Sequence, residues 1–283
     1  MTKSQTFTVF VPELWSPRIT EYFKEKLIAR QVFTDYSDEL AAGGDMVHIP
    51  KFAQRFTVGD VKTTSGDVTA TNVSDTSTTL TVDKWKATAF FISDFQAKQI
   101  ANKYNVLDMY ARGMAQDLAV QVDSDIWAYT AASYITNSVG DSATDILATS
   151  LEKAISIIES NSIPLNECFF AFHPKAYWRE VMANSKLVEA SKYGRAVLPN
   201  PPHNELYGIP VWIAETVPAG TAGSEGGHRN LLAHPECVVF AVQMPIRLQE
   251  KESDESLRRK VIADVAYGAT NLRDAGVRII SNN

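Results

Sequence analysis

Residues 57–83 read TVGDVKTTSGDVTATNVSDTSTTLTVD, and their reading decides the fold. The stretch is as long as a β-hairpin yet contains no aromatic residue, in a chain that is 10% aromatic. It is mostly Thr, Ser, Asp, Gly and Val, so too little apolar surface is present to offset the entropy of ordering it as a core of its own. Strand-like sequence flanks it on both sides. Before it, Val47 and Ile49 share one face of Met46-Val47-His48-Ile49-Pro50-Lys51-Phe52. After it, Trp85, Ala87, Ala89 and Phe91 recur at period two. Two anchored strands joined by a thin, β-prone tip describe a hairpin arm, running from about 46 to 92, that leaves its own subunit and lies on a neighbour. The pattern points to an assembling protein rather than an enzyme.

Composition bounds the rest. A chain of 283 residues can bury a genuine core as one large or two modest domains. Its 45% hydrophobic and 21% charged content is ordinary for a soluble globular protein. A net charge of -6 and a pI of about 5.4 argue against broad electrostatic attraction to nucleic acid. Such a protein can still enclose DNA without gripping its phosphates. Cys168 and Cys237 lie in apolar strand-like runs and read as buried reduced thiols, with no third or fourth ligand at zinc-like spacing. The opening MTKSQTFTVFVPELW lacks the apolar core and cleavage site of a secretory signal. No uninterrupted apolar run approaches the roughly 18 residues of a membrane span.

Along the chain, the first residues look extended and could form a second arm. Ser16-Pro17 opens a helix, with Ser16 as N-cap and an apolar stripe of Ile19, Phe23 and Leu27 to about Arg30. The longest helical segment runs from 106 to about 133, with Leu107, Tyr110, Met114, Leu118, Val122, Ile126 and Tyr129 on one face. Its opposite face carries Arg112, Asp117, Asp123 and Asp125 and reads as solvated charge. Thr149 with Glu152 forms a capping box ahead of Leu151, Ile155 and Ile158. Residues 168–172 form a short buried strand, 207–213 another, and the last fifth is strand after strand: 231–233, 238–242, 246–250, 257–267 and 277–280. A charged tip between Glu250 and Ser256 suits a hairpin turn.

Catalytic signatures do not accumulate. Ser150-Leu151-Glu152-Lys153 has the Ser-x-x-Lys form but lacks its companion motifs and reads as a helix start. Residues 219–227 are glycine-rich without the Lys-Ser/Thr of a phosphate-cradling loop. The five histidines are scattered, and His173 and His234 each precede a proline, which suggests turn geometry. Asp123 and Asp125 diverge by about 200° on a helix and cannot share a substrate. No catalytic, cofactor-binding or metal-binding residue is nominated.

The order of parts, with Phe10-Val11-Pro12-Glu13-Leu14-Trp15-Ser16, Gly44-Asp45-Met46-Val47-His48-Ile49-Pro50, Asp264-Val265-Ala266-Tyr267-Gly268 and Ala275-Gly276-Val277-Arg278, resembles the major capsid protein of tailed bacteriophages. Their fold is of the α+β Hong Kong 97 type, shared with encapsulins. The resemblance implies an N-terminal arm (1–15), a helix and connection (16–43) and an extended hairpin loop (44–92). It further implies a peripheral domain with a spine helix (93–144), an axial domain (145–241) and closing strands that return to the peripheral domain (242–283). It implies a structural protein that forms pentamers and hexamers of an icosahedral shell around double-stranded DNA, made in the host cytoplasm and carried in the virion. A separate scaffolding protein and a portal are expected partners, with no cofactor, no membrane and no sequence-specific DNA contact. The residues expected to meet neighbouring subunits are Val58, Val61, Lys62, Val68, Val73 and Leu80 of the loop, with Phe7 and Phe10 of the arm. Some relatives crosslink a loop lysine to an asparagine, for which Lys62 and Asn271 are the matching positions, with no acidic catalyst assignable. Deleting 58–81 is expected to leave a folded subunit unable to form shells. The rival readings are an encapsulin shell and an α/β enzyme with the Thr-rich segment as a lid.

Overall fold

The computed structural model describes residues 27–40, 43–52, 75–93, 106–141, 144–184, 205–218, 228–253 and 256–281. In chain order these form α1 (Ala29–Val32), β1 (Thr34–Asp35), α2 (Ser37–Leu40), β2 (Met46–Phe52), β3 (Asp75–Thr81), β4 (Lys84–Ser93) and the long helix α3 (Val106–Trp127). After them come β5 (Ser138–Gly140), α4 (Ala148–Ser160), β6 (Phe169–Phe172), a short helical stretch from Pro174, β7 (Glu205–Leu206) and β8 (Ile209–Ile213). The chain closes with β9 (Arg229–Ala233), β10 (Val238–Ser253), β11 (Ser256–Asn271) and β12 (Gly276–Ile280). The strands build a four-stranded sheet in the order β1-β10-β11-β4, a six-stranded sheet in the order β5-β12-β9-β6-β8-β7, and the two-stranded ribbon β2-β3.

The ribbon corrects the sequence reading of the arm. Met46–Phe52 pairs with Asp75–Thr81, with Val47 opposite Leu80 and Phe52 opposite Asp75, while Lys84–Ser93 joins β11 in the larger sheet. The hairpin therefore closes within the Thr-rich stretch itself, because TSTTLT supplies the β-branched residues a strand favours and one large apolar side chain for a core. That side chain is Leu80, fully buried with Leu40, Ile49, Val239, Ala241 and Leu272. Lys51 Nζ donates to the carbonyl of Leu272, and Val82 N–H to the carbonyl of Asp45 at 2.8 Å. Where β3 ends, its backbone crosses β11 so closely that a Cβ on Gly268 would lie 2.0 Å from the Thr81 carbonyl oxygen. Backbone cannot yield as a flexible side chain can, so Gly268→Ala is expected to cost about 3 kcal/mol, read as a lower midpoint in urea unfolding.

Strands β10 and β11 are each 16 residues long. The sequence reading splits β10 in two, whereas it is one strand with register shifts between Val242 and Met244 and between Met244 and Arg247. Pro245, which has no N–H for the ladder, sits in this irregular stretch. The helix α3 lies across the inner face of this sheet. At 22 residues it spans about 33 Å, and it ends in a tighter turn at Ala128–Thr130 rather than continuing to 133. Met114, Leu118, Val122 and Ile126 recur every fourth residue and bury against Val261, Ala263, Val265 and Tyr267. Phe33 meets the buried Trp127 edge to face at 5.2 Å.

Asp123 is not solvated. It is 0% exposed and accepts hydrogen bonds from the Ala29 N–H at 2.8 Å and the Trp127 indole N–H at 3.2 Å. The N–H groups at the start of a helix lack partners within it, and Asp123 supplies one across 94 residues of sequence.

The six-stranded sheet forms a second core. Leu151, Ala154 and Ile158 of α4 pack on Phe170, Phe172, Val277 and Ile279. The expected capping box is absent: α4 begins at Ala148 after Leu147, with no side-chain cap. The buried Glu180 carboxylate instead accepts the Ile146 N–H at 2.8 Å, fixing the approach to the helix. Tyr207 and Gly208, both at positive φ, make the two-residue turn between β7 and β8. The last strand also departs from expectation. β12 does not stay with the long hairpin but lies between β5 and β9 in the six-stranded sheet. Its five residues are all buried, a pattern suited to a sheet covered on both faces.

Candidate functional site: the inter-subunit surface

Strand β4 turns its apolar row outward. Trp85, Ala87, Ala89 and Phe91 are exposed, Trp85 by 71% and Phe91 by 62%, while Lys84, Lys86, Thr88 and Phe90 face α3. The inversion follows from what the helix offers. Asp125 on α3 pairs with Lys86 Nζ at 2.8 Å and Lys84 Nζ at 3.5 Å, and accepts from the Tyr267 hydroxyl at 2.6 Å. Lys84 also lies 5.1 Å from the Tyr129 ring. Burial would raise the Asp125 carboxyl, but the Lys86 and Tyr267 hydrogen bonds and the lysine charges outweigh it and hold the group below the usual carboxylate range. Asp125, like Asp123, was expected in solvent; the two point to opposite partners, as their spacing requires.

On the outer face the Trp85 ring is held, not loose. Its indole N–H donates to Asp264 Oδ2 at 3.0 Å, and Arg247 grips the same carboxylate with two bonds of 2.8 Å. Hydrogen bonding to Arg247, against an opposing burial effect and with help from Trp85, holds the Asp264 carboxyl below its usual range. Because the folded pKa is depressed, this tie is fully present above the ordinary carboxylate value of about 4 and is lost as pH falls through the lower folded value. Tryptophan fluorescence of the chain and of W85F is expected to differ in its acid titration only below about pH 4. A difference titrating above about pH 5 would contradict the assignment. Lys260 Nζ lies 5.7 Å from the Phe91 ring at the far end of the row. Among the described strands β4 is an edge of its sheet, so its outer backbone groups are unpaired there. Exposed apolar side chains on an edge strand, with the largest one fixed by the Asp264–Arg247 ion pair, are the features of a protein-protein contact.

Of the residues expected to meet neighbours, Leu80 does not serve. Its 0% exposure places it inside its own subunit. Val58, Val61, Lys62, Val68, Val73, Phe7 and Phe10 lie outside the described residues. Asn271 directs its amide at Cys237 Sγ, 3.7 Å away. Trp85 and Phe91 were read only as a strand anchor; the signal was present in an apolar row alternating with two lysines.

His173 and His234 each accept from the N–H two residues on, at 3.2 Å, with proline following. His173 stacks on His228 with ring centroids 3.4 Å apart, and burial, then the neighbouring imidazole, lowers its pKa to about 4. Cys168 and Cys237 are free and buried, and burial raises their thiols to about 11 and about 12. Among the described residues no three His, Cys, Asp or Glu side chains converge on a metal, and no helix is long and apolar enough to cross a membrane.

The comparisons with known proteins bear on this arrangement. A family model described as phage capsid protein matches residues 75–279. A solved chain of Mycobacterium phage Che8 is similar with a TM-score of 0.80 at 21% identity, covering 97% of this chain and 98% of that one. The asymmetric unit of the bacteriophage PhiM1 mature capsid gives 0.74 at 12% identity, covering 97% and 93%. The capsid of a native GTA particle gives 0.74 at 11%, covering 98% and 97%. No curated protein matches. At these identities the solved structures establish the Hong Kong 97-type fold, and the family match spans the six-stranded sheet, the long helix and all of the four-stranded sheet except β1. The chain belongs to the phage capsid protein family.

Proposed function

We propose that copies of this chain close into pentamers and hexamers of an icosahedral shell around double-stranded DNA. The observation that carries this is the outward apolar row of β4, fixed at Trp85 and lying on a sheet edge that is unpaired among the described strands. Shell formation by such a subunit is mechanical: each copy contributes a modest interface, and closed symmetry multiplies it. The Thr-rich loop and the N-terminal arm supply the contacts that reach furthest, and the loop's polar tip lets the free subunit avoid aggregation. In this reading the six-stranded sheet serves as the axial domain, and the four-stranded sheet with α3 as the peripheral domain. The net charge of -6 suits a wall that encloses DNA without holding it, filled with the help of a separate scaffolding protein and a portal.

The double substitution W85A/F91A tests the carrying observation. Both side chains are exposed, so the melting temperature is expected to hold within about 3 °C. The yield of closed shells, counted by electron microscopy, is expected to fall roughly tenfold or more. Normal yields would remove β4 from the interface.

A further inference from the structure

Strand β4 sits on β11 with Lys84 opposite Tyr267, Trp85 opposite Ala266 and Phe90 opposite Val261. Side chains alternate along a strand, so a shift of one residue would exchange its two faces throughout. The sequence KWKATAFF, 84–91, fits that shifted register as well. Phe91 would take the place of Phe90, whose ring lies 5.6 Å from that of Tyr110. Ala87 and Ala89 would replace Lys86 and Thr88. Trp85 would replace Lys84, whose ammonium lies 5.1 Å from the Tyr129 ring and 6.0 Å from the Tyr267 ring. The indole would thus gain two aromatic neighbours. On the outer face Lys86 would stand where Trp85 does, beside Asp264. The Arg247–Asp264 pair joins β10 to β11 and does not involve β4, so the shift would lose only the Trp85 hydrogen bond there. The net change takes an indole out of water and returns two lysines to it, and apolar burial and charge solvation both favour that.

Asp125 opposes the exchange. Its Oδ2 meets Lys86 Nζ at 2.8 Å and Lys84 Nζ at 3.5 Å and accepts from the Tyr267 hydroxyl, while its Oδ1 accepts from the Gln121 amide at 2.8 Å. The shift would strip this carboxylate of both cations and leave it against the sheet without a countercharge. We propose that Asp125 is a positioning residue for the assembly surface: its carboxylate holds β4 in the register that displays Trp85 and Phe91. Without it the strand settles one residue along, with that row buried against α3 and lysines displayed in its place. The inference rests on the reading of β4 as a contact between copies. The fold leaves room for the movement. The Thr81 carbonyl is fixed where it crosses Gly268, so the shift adds one residue to the Val82–Asp83 connection and draws one from beyond Ser93. Among the described strands β4 is an edge, so only its pairing with β11 has to be remade.

The test reads which face of β4 is outward. A87C and T88C, made separately, report its two faces through their rates of alkylation in the unassembled chain, followed by mass spectrometry. Cys168 and Cys237 are buried and report on folding in the same spectra. With Asp125 in place, A87C is expected to react roughly tenfold faster than T88C. Asp125→Leu is expected to invert that order and, in the chain without added cysteines, to lower shell yield roughly tenfold. An unchanged order in D125L would overturn the inference and leave the β4 contact intact. K84E/K86E repels Asp125 without altering the helix and is expected to give the same inversion. Should D125L unfold, seen as alkylation of Cys168 and Cys237, K84E/K86E decides, and an unchanged order there would overturn the inference. An inverted order with normal shell yield would instead overturn the β4 contact on which the inference rests.

Discussion

Removing residues 58–73 yields a subunit that folds normally and forms no shells. Phe52 and Asp75 already face each other in register, so residues 53–57 and 74 suffice to turn between them. Strand β3 is kept, and with it Leu80 in its cluster and the crossing over Gly268. Unfolding temperature should therefore change by only a few degrees, because a shorter loop alters closure entropy slowly with length. Assembly should be lost altogether, since the segment proposed to reach the adjacent subunit is gone and every contact in a closed shell repeats the defect. Deletion of 58–81 behaves differently from the sequence expectation. It strips Leu80 from a buried cluster at a cost of about 2–5 kcal/mol and removes the partner strand of β2 as well. The pair of deletions separates assembly from folding: circular dichroism melts should part them, while micrographs of both show no shells. Shells from the 58–73 deletion would remove the loop from the interface.

Among single substitutions the largest effect on stability is expected at Asp123. Asp123→Ala leaves the Ala29 and Trp127 N–H groups buried without their acceptor and opens a small void beside the long helix. Together these are expected to cost about 3–4 kcal/mol, or roughly 6–12 °C in melting temperature. Asp123→Asn keeps one acceptor oxygen and should lose about half as much. Burial raises the Asp123 carboxyl above its usual range, against the hydrogen bonds it accepts. A raised folded pKa contributes stability that is fully present below the unfolded value of about 4 and is lost as pH rises through the folded value. The advantage of the unaltered chain over D123N should thus be greatest in acid and shrink toward neutrality, as measured by urea unfolding across that range. An advantage that grows toward neutrality would contradict this assignment.

The parts of the fold most legible in sequence were those with a sustained period. The long helix showed itself through Met114, Leu118, Val122 and Ile126, and the buried strand 169–172 through four consecutive apolar residues. Pairing was less legible, because strands reveal their faces and not their partners. Met46–Phe52 could have closed on either flank of the Thr-rich stretch; Leu80, one large apolar residue among threonines, decides for the nearer one. Charges misled for a related reason. Asp123 and Asp125 read as solvent-facing until the packed helix gives each its partners, and turning Lys84 and Lys86 toward Asp125 leaves Trp85 and Phe91 outside. The expected interface residues other than Leu80 lie outside the described residues, and among the described ones an exposed apolar row lies on β4. The closing strand β12 shows the same limit: its composition marks it as buried, and only the topology shows which sheet buries it.

The most direct test of the account is a cryo-electron microscopy reconstruction of particles formed when the chain is expressed with and without its neighbouring genes. The account predicts closed icosahedral shells of five- and six-membered rings, with Trp85 and Phe91 covered by an adjacent subunit and DNA inside when the packaging genes are present. Free 31.3 kDa monomers under both conditions, or shells in which the β4 row remains in solvent, would contradict it.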